Sequence, residues 1–317
     1  MDIRARSLAL RILCLSILAG LPLAQTAGRS SKAASPIAVQ VAMKNVAYHF
    51  SQAIVVRIVR LQGTLAPTRP GSIVVFDDKN SFKINLTSAE IGIGCDALQE
   101  VMNQHVFSAP DAPIKNVTIA PKNDRLLIRG QLHKKGDLAF ELEGTLTPTN
   151  DGRIRFHTEH VKAVHLPLKG MLDLLGLDLA KLINTKKVQG LSSDKDDLIL
   201  NPEEIFPPPH IHGKVTSVRV EGNDVVQIFG EAPGPDFAHG SGNYMAYRHG
   251  DLRFGKLTMQ DADLILLDMD PQDPFDFYLD RYKEQLMAGY SKTTESFGLR
   301  VYTRDFNKLQ KASSAGH

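Results

Sequence analysis

Short stretches in which apolar and polar residues alternate dominate the chain. Leu138, Phe140, Leu142 and Leu146 fall on one side of an extended segment, while Glu141, Glu143 and Thr145 fall on the other. That is the period of two expected for a strand with one buried face. Ile154 and Phe156 alternate with Arg153, Arg155 and His157 in the same way. Similar patterns predict strands over 37–48, 53–65, 72–76, 82–93, 117–119, 125–132, 211–220 and 225–229. The turn residues Gly136-Asp137 and Asn150-Asp151-Gly152 join close neighbours, which points to antiparallel pairing.

The period changes in three places, each predicting a helix. Leu98, Val101, Met102 and His105 follow the spacing of three and four over 96–107. Over 168–183, Met171, Leu172, Leu174, Leu175, Leu177, Leu179, Leu182 and Ile183 stand against only Lys169, Asp173, Asp178 and Lys181. A helix apolar nearly all round must be covered on several sides or face an apolar guest. The third is predicted over 274–290, with Asp273 as N-cap, Pro274 at the first position and Phe275, Leu279, Tyr282, Leu286 and Tyr290 along one face.

The first 27 residues read as a signal peptide. Arg4, Arg6 and Arg11 precede an apolar run over 12–23, too short to span a hydrocarbon core of roughly 30 Å, and small or polar residues follow it. An uncleaved anchor is the alternative. Residues 28–36 form a flexible lead, 37–231 the main domain and 232–317 a C-terminal region of strands, helix and final strand. The expected location is outside the cytoplasm, in a bacterial periplasm or cell envelope.

Composition narrows the choice of function. With 43% hydrophobic and 23% charged positions the chain is an ordinary folded protein. Losing the signal, with three arginines against Asp2, lowers the formal charge from +2 to zero. No basic face is left for nucleic acid. Cys95 alone survives that processing, so no internal disulfide is expected.

Candidate chemistry is sparse. His210 and His212 share one face of an extended segment, as a metal pair requires, without an identifiable third ligand. Asp268, Asp270, Asp273 and Asp276 lack the glycine and terminal glutamate of a calcium loop, and Asp273 and Asp276 fit first-turn carboxylates of the predicted helix. Neither a nucleophile elbow nor a phosphate loop is present, and Cys95 beside Asp96 reads as a buried small residue. No catalytic residue and no cofactor are predicted.

The order of elements resembles the secreted phospholipid-binding proteins of the LmeA type, which are similar to the tubular lipid-binding (TULIP) proteins. The matching pieces are Ile91 and Ile93 leading into the helix at Asp96, the hairpin of Leu126, Ile128 and Gly130 with Phe140, Leu142 and Gly144, and the leucine-rich segment after Pro167. The closing strand pair begins at Pro208, Pro209, Ile211 and Gly213 and runs through Val215, Val218, Val220, Val225 and Ile228. The resemblance covers roughly half of the chain and implies an α+β fold, a strongly curved antiparallel sheet wrapped around helices to leave an apolar tube. It implies binding, and by extension transfer, of phospholipid or another acyl lipid, with a membrane surface as a further partner. Protein partners stay undefined. The residues expected to line the tube are Leu138, Phe140, Leu142, Ile154, Phe156, Met171, Leu172, Leu175 and Leu179. The alternatives are an envelope scaffold with a filled core and, further off, a metal-assisted hydrolase using His210 and His212.

Overall fold

A computed structural model describes residues 37–133, 138–163, 185, 188–231, 234 and 242–309. The strands, in chain order, begin with β1 (Val39–His49), β2 (Val55–Pro67), β3 (Val74–Val75) and β4 (Phe82–Gly94). Helix α1 (Cys95–Val101) continues into a wider turn over Met102–Val106. A hairpin series follows, β5 (Ile114–Lys122), β6 (Arg125–Leu132), β7 (Leu138–Pro148) and β8 (Ile154–Ala163). Next come β9 (Leu191–Asp194), β10 (Asp197–Leu200), the single turn α2 (Pro202–Ile205), β11 (His210–His212), β12 (Val215–Glu221) and β13 (Asp224–Gly230). The last part holds β14 (Tyr244–Arg248), β15 (Leu252–Phe254), β16 (Leu257–Met259), β17 (Asp263–Asp268) and β18 (Phe275–Tyr278). It closes with α3 (Tyr282–Met287), β19 (Tyr290–Thr293) and β20 (Leu299–Thr303).

The strands form an 11-stranded sheet in the order β12-β13-β4-β2-β1-β14-β17-β20-β19, with β11 beside β4 and β18 beside β1. A second, 6-stranded sheet runs β5-β6-β7-β8-β10-β9, and β16-β15-β3 make a small third. The two larger sheets share one continuous apolar core with α1 and α2. The expected α+β architecture is therefore corrected. The fold is mostly β, 56% strand against 13% helix, and no sheet is closed or strongly curled around helices. Helical pattern at 96–107 and strand pattern elsewhere are both present, but sheet packed on sheet buries more of the apolar alternation than a sheet rolled around helices would need.

Local irregularities keep the inner face apolar. In β1, Val41 and Met43 point inward and so do Val46 and Tyr48, a change of parity at Asn45, whose φ is 49°. The adjoining β2 shifts beside it, from Ile58 to Leu61, where its register against β4 slips. Paired irregularities of this kind re-aim both strands together without exposing either row.

Several elements differ from the expectation. Residues 275–278 form a strand, parallel to Val46–His49 of β1, rather than the first turn of a helix, and only Tyr282–Met287 is α-helical. Phe275 fits a helical stripe with Leu279, but Phe277, two positions on, falls on the opposite side of such a helix; both are wholly buried, which suits a period of two, and pairing with β1 fixes the strand. The segment 211–220 breaks at Gly213-Lys214 into β11 and β12, and 252–259 folds back as a hairpin, β15 with β16. Strands β9 and β10 carried too little alternation to be expected. The leucine-rich segment 168–183, with Met171, Leu172, Leu175 and Leu179, lies outside the described residues. Among the described residues no helix is long and apolar enough to cross a membrane.

Candidate functional site

Among the described residues, two of the empty spaces in the core meet at one pair of side chains. The first, about 30 Å³ open to the centre of a water molecule, lies on the inner face of β1, β2 and β4 beneath Phe206, Pro209 and Ile211. The second, about 50 Å³ on the same measure, lies between α1, the second sheet and β13, against Leu98, Met102, Ile128, Leu146, Ile154 and Phe156. Phe206 and Gln227 line both.

The sequence places these two residues by simple means. Asn201 caps α2, its side-chain oxygen accepting the Glu203 N–H at 3.2 Å, with Pro202 at the start of the turn. Glu204 then takes the Gly190 N–H at 3.0 Å, tying the turn to the start of β9. Ile205 and Phe206 are thereby directed into the core, where the Phe206 ring lies 6.0 Å from that of Phe50. Gln227 sits on β13 between Val225 and Phe229, a strand whose inward positions are otherwise apolar. Across the sheet it stands in one row with Ile58, Ile91 and Val218. It is 5% exposed, and its amide makes no hydrogen bond to any described residue. The apolar character of the region also shows in Tyr48, which lines the first void and whose phenol burial pushes well above the usual tyrosine range.

Of the residues expected to bind lipid, Ile154 and Phe156 line the second void. Leu138, Phe140 and Leu142 belong to the surrounding core instead. The Phe140 ring lies against Gly130, where an added Cβ would come within 2.9 Å of Cζ. Gln227 and Phe206 were not anticipated; a polar residue at an inward position of an alternating strand is the signal that marks the first. On the other face of the large sheet, a depression of about 350 Å³ is walled by Lys44, Arg60, Gln62, Ser88 and Tyr244 and is partly polar.

His212 Nδ1 pairs with Glu203 at 2.9 Å, and no third ligand joins His210 and His212 among the described residues. Cys95 is fully buried; burial pushes its thiol up, and the Asp96 and Asp224 carboxylates push it further, so it is a poor nucleophile.

The acidic residues gather at the end of the chain. Asp268, Asp270 and Asp305 bring carboxylate oxygens within 4.8 Å of one another. Asp305 is wholly buried and accepts the Asp276 N–H at 3.0 Å. The Lys308 ammonium stands 3.0 Å from Asp305, 3.2 Å from Asp273 and 3.7 Å from Asp270. Burial lifts Asp305 to about 6, and the lysine, held by Asp305 first, is raised above its usual range. The cation in this cluster is thus supplied by the chain itself. Nearby, His49 Nε2 pairs with Asp276, whose other oxygen accepts the Asn307 N–H at 3.0 Å. The His49 ring stacks on Tyr278 and meets the edge of Phe306, while its Nδ1 is buried without a partner. No hydroxyl or thiol among the described residues completes a nucleophilic triad with this pair.

Comparison with family models, curated proteins and solved structures gives no match.

Proposed function

We propose that this is an exported cell-envelope protein that binds the apolar chain of an acyl lipid between its two sheets, without catalysis. The observation that carries the reading is the pair of voids joined at Phe206 and Gln227. Protein interiors are close-packed, and empty space with apolar walls and one convergent polar group is what ligand sites look like. A buried methylene is worth about 0.8 kcal/mol to such a guest.

The second reading, an envelope scaffold with a filled interior, draws on the size of the voids. Together they admit a few heavy atoms, since a single water needs roughly 10–15 Å³ on this measure. Binding a whole chain therefore requires the faces to part. Native mass spectrometry separates the two. Full-length protein expressed in a bacterium and isolated from its envelope without detergent is expected to carry a stoichiometric acyl species that organic extraction removes. Leu146→Phe, which fills the larger void, is expected to fold and arrive with less lipid. Protein that arrives empty and stays empty with liposomes overturns the binding reading in favour of the scaffold.

A further inference from the structure

We infer that Gln227 is a specificity-determining contact and that the guest is an apolar chain carrying a hydrogen-bonding oxygen within its length. This inference rests on the apolar-chain reading above and gives it a chemical class. Gln227 lies at the boundary of the two voids, so a chain occupying both runs past its amide with methylenes on either side. In the row Ile58, Ile91, Gln227 and Val218 it is the one polar side chain.

An amide 5% exposed and without a hydrogen-bond partner among the described residues is a standing cost, which a native fold retains where something else satisfies the group. Water is a poor candidate in the larger void. There Gln227 is the only polar side chain among the described residues, and a water is held by roughly 2–4 polar partners. A plain polymethylene chain fills the space and leaves the amide unpaired. A terminal carboxylate would place a charge in the middle of an apolar core, at far greater cost. A hydroxyl partway along the chain answers both needs, since it accepts from the amide N–H and donates to the amide oxygen. An ester carbonyl answers the first alone.

The test compares 12-hydroxyoctadecanoate with octadecanoate on delipidated full-length protein, by competition measured in native mass spectra. Wild type is expected to prefer the hydroxylated chain by about tenfold, the value of one well-made buried hydrogen bond. Gln227→Leu and Gln227→Met, both close in shape, are expected to lose the preference and bind the two chains equally. Equal binding of both chains by wild type, or an unchanged preference in both variants, overturns the role of Gln227 and leaves the apolar-chain reading standing. Binding of neither chain by wild type overturns both.

Discussion

The centre of the core and the end of the chain treat polar groups in opposite ways. At the end of the chain, Asp268, Asp270, Asp273 and Asp305 crowd together, and the chain answers them with Lys308. Asp268 accepts from Asn243 at 2.7 Å, and Arg304 lies 3.7 Å from Asp270. In the core, one neutral amide, Gln227, stands in apolar surroundings with no partner. The comparison teaches that density of chemical groups is a poor guide to a site. The crowded cluster carries its own cation, although Asp270 and Asp305 each keep one buried oxygen without a hydrogen bond, whereas the quiet region contains the empty space.

The comparison breaks most visibly at Phe206. Phe206→Ala is expected to merge the two voids and to cost about 3 kcal/mol in urea unfolding, within the range for a buried phenylalanine. An unchanged midpoint would mean that the ring does not partition a packed core. At the other region, Lys308→Met is expected to lower the melting temperature. It is also expected to make the variant, unlike wild type, gain stability from millimolar calcium, because the carboxylates then lack their own cation. An equal calcium response in both proteins would show that Lys308 does not fill that position.

Asp305 sharpens the contrast through pH. Its carboxyl titrates near 6 in the folded protein against an ordinary 3.8, so the folded state holds the proton more tightly. Its stabilising contribution is complete below the ordinary value and is lost as pH rises through about 6. The unfolding free energy of wild type relative to Asp305→Asn is expected to fall between pH 4 and pH 6.5 and then level off, measured by urea unfolding at each pH. A difference that rises over that window would contradict burial as the dominant influence. The smallest effect is at Gln227. Gln227→Leu is expected to stabilise the empty protein by about 1 kcal/mol, since an unpaired amide is exchanged for an apolar group of similar shape. A loss of stability would show that the amide has a partner in the empty state.

Much of the β architecture was legible from local period. Leu138 to Leu146 and Ile154 with Phe156 form the paired strands their alternation predicts, joined across the turn at Asn150 to Gly152. Leu98, Val101 and Met102 mark a helix that is present. The segment after Pro274 misled because Asp273 and Pro274 imitate a helix start and Phe275 and Leu279 stand four apart, whereas Phe277, two after Phe275, was the contrary signal of a strand. The expected wrapping of a sheet around helices failed for a related reason: alternation shows that a face is buried, not what buries it.

The candidate site was half legible. Ile154 and Phe156 border the second void from strands whose alternation is readable, whereas Phe206 arrives there through a capped single turn and the pairing of β11 with β4. By itself, then, the sequence determined which strand faces are apolar and where the chain turns. Tertiary structure decided that β14, β17, β20 and β19 extend the large sheet beyond β1, that Lys308 neutralises the acidic cluster, and that Gln227 meets Phe206 between two voids. The physical reason is range. Periodicity and turn chemistry act over a few residues, while sheet order, ion pairing and empty space are set by contacts between distant segments, such as His49 and Asp276, 227 residues apart, on which local pattern is silent.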